Sequence, residues 1–467
     1  MNTPAPGPRQ AVVIGAGISG LACAYRLDQL GVPVTLLEAS DHPGGLVGTA
    51  EKDGLLLESG PQSFQGTESI LDLIRQLGIE NELLTADPQA PRYVLIRGKL
   101  REIPMSPTAL LTSSLLPVSA RFKIASEPFR KSRPPEGDES IADFVRRKFG
   151  HEILEYLVAP FVSGVYAGDP EKLSLRAAFP ALDEWEREYG SILRGAMKSR
   201  PPKGKRSGPP PLCSFRHGVS TLPRAIAARL GEKLLTGARV VSIKQSGAAP
   251  DRDNGRSYEI SFSRAGREET IRASAVILST PAYTASHLLT AVSSVLAQTL
   301  SGILYAPVAV VAAEYYAQQI GNPLKGFGFL IPRSEKLHTL GTVWNSSLFP
   351  GRATEGRAAI TSFAGGATDP EIVGQPEEQI ARIVQEENAR ILQISGPPVS
   401  SAVWRHPKAL PQYSLGHSHI VESIRDAEHK NPGLYFAANY LEGPSLGKCV
   451  DVGNQTADAV REYLRAS

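Results

Sequence analysis

Apolar positions follow two alternating rhythms along the chain, short continuous runs of strand length and longer stretches at helical spacing. Ala11 to Ile14 is an uninterrupted apolar run that passes straight into Gly15-Ala-Gly17-Ile-Ser-Gly20. Helical spacing follows over residues 19–30 with Gly31 as its stop signal, and Val34 to Leu37 makes a second apolar run ending on Glu38. This is the pattern of a βαβ unit. A helix is predicted over residues 70–77, closed by Gly78, and a hairpin over 93–103 turning at Arg97-Gly98. Residues 110–197 read as mainly helical, with Ser140 three residues before Asp143 in a capping arrangement. Pro, Gly and basic residues crowd 198–211, which reads as a loop. Strands return at 240–243, 258–262 and 275–279, and a strand-rich region with a helix near 377–392 extends to about Trp404. A strand at 434–437 and a helix over about 452–464 come last. The order implies an α/β nucleotide domain assembled from separated segments and interrupted by two insertions, with no internal repeat.

Composition narrows this little. The chain has 467 residues, room for two or three domains, and its 42% hydrophobic and 21% charged residues fit a globular core. A formal charge of +3 gives no reason to expect a nucleic-acid partner. Cys23, Cys213 and Cys449 are odd in number and share no metal or redox spacing, which suggests a reduced, intracellular protein. The first ten residues lack an apolar core, so no signal or transit peptide is expected. Two uncharged stretches, 103–120 and 291–313, are broken by Pro, Gly and hydroxyl residues and do not read as membrane spans. His417 and His419 stand in a polar segment without a third ligand, so no metal is expected.

The glycine run carries the first chemistry. Gly15 permits a tight turn, Gly17 lets the backbone approach a pyrophosphate, and Gly20 lets helix pack on strand. The helix N-terminus, with Ile18 and Ser19, then favours phosphate, and Glu38 can accept hydrogen bonds from ribose hydroxyls. The continuation Asp41-His42-Pro43-Gly44-Gly45 separates FAD from NAD, because bare glycine backbone can lie against the larger cofactor. This diglycine resembles the extended fingerprint of large FAD-dependent oxidases, with Ser40 and His42 where arginines are common.

Further segments carry a closer resemblance. Ser214-Phe-Arg-His-Gly218 followed by Val240-Val-Ser-Ile243, and Ala275-Val-Ile-Leu-Ser-Thr-Pro281, are similar to the later flavin segments of that superfamily. Gly433 to Tyr440 and Gly443-Pro-Ser-Leu-Gly-Lys-Cys-Val450 resemble the flavin-closing segment of the protoporphyrinogen oxidase family. Glu58-Ser-Gly-Pro-Gln-Ser-Phe64, Asp87 to Tyr93 and Phe161-Val-Ser-Gly-Val-Tyr-Ala-Gly168-Asp-Pro170 resemble its plant-type members. So do Lys325 to Leu330 and Ser346-Ser-Leu-Phe349-Pro350.

The resemblance implies a Rossmann-like, discontinuous FAD-binding domain over 1–80, 212–285 and 405–467. It implies a mixed-sheet substrate domain over 81–105 and 286–404 and a helical membrane-associated insertion over 106–211, an α/β plus α+β architecture. Non-covalent FAD would be held by the glycine run and Glu38, joined by Ala39, Ser40, Gly44, Gly45 and Leu46. Gly60, Pro61, Val240 and Thr280 would add to it, and Leu446, Cys449 and Val450 would close over it. Arg92 would hold a substrate propionate, Gly168 would lie beside the tetrapyrrole with its backbone, and Leu330 and Phe349 would sandwich the ring. Independently, an apolar macrocycle with carboxylate arms needs apolar walls and a cationic fork such as arginine.

The implied activity is six-electron oxidation of protoporphyrinogen IX to protoporphyrin IX in haem synthesis, with oxygen as acceptor and hydrogen peroxide as by-product. Hydride acceptance falls to flavin N5, and no acid–base side chain is expected to be indispensable. Coproporphyrinogen III oxidation on the same fold, amine oxidation needing an aromatic pair at the flavin, for which Tyr440 is a candidate, and a flavin- or porphyrin-binding carrier stand as alternatives. The resemblance also places the enzyme in the cytoplasm, peripheral on the membrane face. Leu110, Leu111, Leu115, Leu116 and Phe122 would meet lipid, and the basic stretch Arg194 to Arg206 would meet anionic headgroups. The next haem-pathway enzyme and a second copy of the chain are the remaining partners it allows.

Overall fold

A computed structural model describes residues 9–52, 54–130, 134–199, 210–246 and 257–466. Its centre is a parallel sheet of five strands, in the order Leu234–Leu235, Val34–Leu37, Ala11–Ile14, Ala275–Leu278, Leu434–Phe436. Ala11–Ile14 and Ala275–Leu278 are buried at every position, which is why they read as continuous apolar runs without alternation. Sequence-distant segments thus meet edge to edge: Ala11 pairs with both Val34 and Ala275. The helix Ile18–Gln29 covers the sheet and packs on the final helix, Leu446–Ala466. That contact is close, since a Cβ on Gly453 would stand 2.6 Å from the Ser19 carbonyl oxygen. The helix begins at Leu446, before the expected residue 452: Gly447 weakens the helical pattern of its first turn in the sequence without stopping the helix.

The second sheet is mixed and seven-stranded. Its order is Ser400–Pro411, Tyr305–Tyr316, Arg357–Gly365, Thr339–Val343, Gly328–Leu330, Arg92–Ile96, Lys99–Glu102. All its pairs are antiparallel except one: Arg92, Tyr93 and Val94 run parallel to Gly328, Phe329 and Leu330. The predicted hairpin at Arg97-Gly98 thereby becomes the edge of a sheet built mostly from residues more than 200 positions later. Ser400–Pro411 continues through the domain boundary drawn after residue 404.

The helical insertion packs against the seven-stranded sheet and has its own core of Leu116, Ala120, Ile124, Phe144, Val162 and Tyr166. Ser140 caps the helix Ile141–Lys148 by accepting from the Asp143 amide at 3.0 Å. The insertion also buries charge. Lys148 Nζ stands 2.8 Å from Glu186, and Glu127 accepts from the Ile192 amide at 2.8 Å, capping the helix Ile192–Lys198. The two uncharged stretches resolve into short elements, and among the described residues no helix is long and apolar enough to cross a membrane. Of the basic stretch, residues 200–206 lie outside the described residues.

Candidate active site

At the end of Ala11–Ile14 the chain turns through Gly15 at φ +102°, a conformation that suits glycine. A Cβ at Gly15 would meet the Ser279 carbonyl oxygen at 2.8 Å, and one at Gly20 would meet the Gly15 carbonyl oxygen at 1.9 Å. Around Gly17 nothing lies within 4 Å of the same position. The outer glycines therefore serve packing, and the middle one faces open space. Gly45 stands beside it, with the Gly17 Cα at 3.4 Å from its own Cβ position, and Gly44 donates to the Ala16 carbonyl at 2.8 Å. The two glycine loops line one concavity. Ile18–Gln29 opens onto it with no side-chain cap and no acid in its first turn, leaving its N–H groups available to an anion.

Glu38 is half-buried and already employed. One oxygen accepts from the Ala16 amide at 2.6 Å, the other from the Ser40 amide and hydroxyl at 2.8 Å each. Carboxylate oxygens can accept further bonds, so a ribose remains compatible. Ser40 turns toward Glu38, and Ala39 is exposed beside it. The Gly237 and Ala238 amides donate to the Ser40 and Glu38 carbonyls at 2.7 Å, which brings the half-buried Val240 next to this carboxylate.

Thr280 follows the strand beside Gly15, and its hydroxyl is buried without a partner, as is that of Ser220. Orphaned buried hydroxyls beside an open glycine cradle fit a bound polyphosphate cofactor. At the mouth of the final helix, Leu446 and Cys449 are buried and the Val450 side chain is sealed in the core. Burial pushes the Cys449 thiol up to about 11, so it carries no thiolate at neutral pH and is a poor covalent nucleophile.

Gly60 rests directly on the Leu46 backbone, since a Cβ there would stand 2.0 Å from the Leu46 carbonyl oxygen. Pro61 follows, half-buried. Sequence reasoning missed what holds this turn. Glu58 pairs with Arg352 at 3.1 Å and accepts from Thr49 at 2.5 Å and the Val219 amide at 2.9 Å. Arg352 also donates to the Ser214 hydroxyl at 2.6 Å and the Phe215 carbonyl at 2.9 Å. Desolvation raises the Glu58 carboxyl while Arg352 draws it back, and desolvation lowers Arg352. The only sequence signal was an acid in one motif and an arginine two residues past another, 294 positions apart.

On the substrate side, Arg92 opens its strand, exposed, with its guanidinium 5.2 Å from the Phe327 ring centroid and no ion pair among the described residues. Leu330, half-buried on the adjacent strand, lies against the helix Ala159–Tyr166, where a Cβ on Gly164 would come 2.6 Å from it. Phe161, Gly164 and Val165 are exposed on that helix face. Gly168 is buried and hemmed in by Leu173 and Gln412. Two expectations need correction. Phe349 is only 2% exposed, packed in a cluster with Ala86 and Leu348, so its ring is core and not a sandwich wall. Tyr440 is 0% exposed within the main core, so it does not form an aromatic cage at the groove.

Residues 18–461 match the family model of flavin containing amine oxidoreductases. The chain belongs to that family. As a member, it is an FAD-dependent oxidoreductase, and the expected FAD fold, with its helical insertion and mixed sheet, is borne out. A chloroplastic protoporphyrinogen oxidase 1 of Spinacia oleracea is 38% identical, covering 97% of this chain and 84% of the relative. A coproporphyrinogen III oxidase of Bacillus subtilis is 29% identical, covering 98% and 99%. The solved cyclohexylamine oxidase from Brevibacterium oxydans shares the fold alone, at a TM-score of 0.68 and 18% identity over 98% and 100% of the two chains. The motif resemblance to protoporphyrinogen oxidases therefore holds along nearly the whole flavoprotein.

Proposed function

We propose that this flavoprotein oxidises protoporphyrinogen IX to protoporphyrin IX, with oxygen as acceptor. The observation that carries the reading is Arg92, a cation without an ion pair among the described residues, two residues from the partner of Leu330, which lies against the helix bearing the exposed Phe161 and Val165. An apolar macrocycle with few carboxylates suits one fork and apolar walls. Coproporphyrinogen, with four carboxylates, is the second reading, favoured by the Bacillus relative.

When bound, FAD supplies the hydride-accepting chemistry. The protein's own part is binding, orientation and exclusion of water. Gly17 and Gly45 would admit the pyrophosphate to the helix N-terminus, Glu38 and the Val240 segment would hold the adenosine end, and Thr280 would offer its free hydroxyl. Arg92 orients a propionate, while Leu330 and the Phe161–Gly164–Val165 face close over the ring. Protons need no dedicated side chain here. Burial holds Tyr166 up at about 12 and raises Tyr413 well above its usual range, while desolvation lowers His417 below the usual imidazole range.

The three-domain division stands as part of the proposal, with the helical insertion lying on an anionic membrane surface. The set proposed to face lipid differs from the expected one. Leu116 is 2% exposed and Leu110, Leu111 and Leu115 pack on the insertion's core, whereas Phe122 is 71% and Phe129 83% exposed, beside Val118 and Met197. Anaerobic mixing with protoporphyrinogen and coproporphyrinogen in parallel tests the function. Faster flavin bleaching by the former supports it; bleaching by neither overturns it.

A further inference from the structure

The turn of residues 58–62 carries Gly60 and Pro61 to the cofactor side, yet its outer anchors all come from elsewhere. His406, on the strand Ser400–Pro411, places Nε2 2.7 Å from the Ser59 carbonyl oxygen. A carbonyl can only accept, so Nε2 carries the proton. Asn345, at the start of the helix Asn345–Leu348, donates from Nδ2 to the Gln62 side-chain oxygen at 2.7 Å. That bond orients the Gln62 amide, whose nitrogen donates to the Gly60 carbonyl at 2.8 Å and the Glu58 carbonyl at 3.3 Å. Arg352, in the connection to Arg357–Gly365, holds Glu58 itself. Each anchor therefore belongs to the seven-stranded sheet or its connections. On the opposite side, Ser59 is tied through amide and hydroxyl to the Gly48 carbonyl, and Gly60 sits on Leu46.

The geometry points to Asn345, Arg352 and His406 as positioning residues that hold the flavin-facing turn in register with the substrate sheet. This rests on the proposed cofactor groove and adds what the motifs did not assign. All three bond to the turn or its side chains: His406 to Ser59, Asn345 to Gln62 and Arg352 to Glu58. They act through the turn, so that the sheet bearing Arg92 and Leu330 and the loop bearing Gly60 and Pro61 move as one body. Two of the anchors are neutral hydrogen bonds: His406 meets the Ser59 main-chain carbonyl directly, and Asn345 reaches the Gly60 carbonyl through the Gln62 side chain. Losing the His406 anchor should therefore loosen the turn and spare the core, whereas Arg352 also belongs to a buried ion pair.

The test uses His406→Leu, His406→Gln and Asn345→Leu in the full chain, with FAD titrated into apoprotein. His406→Leu and Asn345→Leu should each weaken FAD about three- to tenfold, the scale of one lost hydrogen bond. Both should shift the flavin absorption band and midpoint potential, while the apoprotein thermal midpoint changes little. His406→Gln, which keeps an amide donor, should restore the spectrum. Unchanged FAD affinity, spectrum and potential in folded His406→Leu would overturn the inference. So would equal loss in His406→Leu and His406→Gln accompanied by a parallel drop in apoprotein stability, since that describes a purely structural role. No readout requires a porphyrinogen. A protein that shows these shifts yet leaves porphyrinogens unoxidised refutes the proposed function and leaves the tether standing.

Discussion

Arg352→Met removes one half of an ion pair in which both side chains are 2% exposed. Met keeps much of the aliphatic volume but leaves Glu58 buried with only Thr49 and the Val219 amide as donors. The Ser214 hydroxyl and Phe215 carbonyl each lose a donor as well. Breaking a buried pair from one side costs about 3–5 kcal/mol. Part of that is relieved because Glu58 can take up a proton. Desolvation already raises its carboxyl, and the Arg352 charge is the first influence opposing that rise. Without Arg352 the folded-state pKa climbs further above the usual carboxylate value. A raised acid binds more protons folded than unfolded, so stability falls as pH rises from the unfolded carboxylate range toward the folded pKa. Urea unfolding of the apoprotein should show a deficit of about 3–5 kcal/mol at neutral pH that narrows toward pH 5. Adding Glu58→Gln should recover part of the loss, because it removes the charge that was left unpaired. A deficit below about 1 kcal/mol with no pH dependence would refute the claim that this pair is a buried, mutually dependent unit.

The glycine geometry separates two substitutions. Gly17→Ala should leave apoprotein stability nearly unchanged and weaken FAD at least about tenfold, whereas Gly20→Ala should destabilise the apoprotein itself; calorimetry and FAD titration distinguish them. Arg92→Ala should raise KM for protoporphyrinogen about ten- to a hundredfold with kcat little altered, and Arg92→Lys should restore only part, as expected for loss of a forked carboxylate contact. Acid denaturation should release all FAD from wild type and from Cys449→Ser alike; retained flavin in wild type would contradict a non-covalent site. Phe122→Asp combined with Phe129→Asp should reduce pelleting with anionic vesicles at low salt; equal sedimentation of both proteins would rule these rings out as the lipid contact.

Local features were legible in the chain alone. Glycine spacing determined the turn after the first strand because the two outer positions are crowded by backbone close in sequence or in the strand beside it, while the middle one is left open. Continuous apolar runs marked the buried strands, and Glu38 at the end of one of them marked the acidic corner. Ser140 announced its own helix because capping is decided over three residues. What side chains face was not legible. Phe349 reads the same in a motif whether its ring walls a ligand or fills a core, and only packing with Ala86 and Leu348 sealed it inward. Leu116 and Phe122 were expected to meet lipid together, yet Leu116, in the turn before the helix Val118–Ser126, packs into the insertion's core while Phe122 on that helix is exposed. The Glu58–Arg352 pair, the His406 tether and the parallel seam that sets Arg92 beside Gly328 all join residues more than 200 positions apart. Periodicity tells a residue which side it has; which neighbour meets that side is settled when distant segments pack and buried polar groups find their partners.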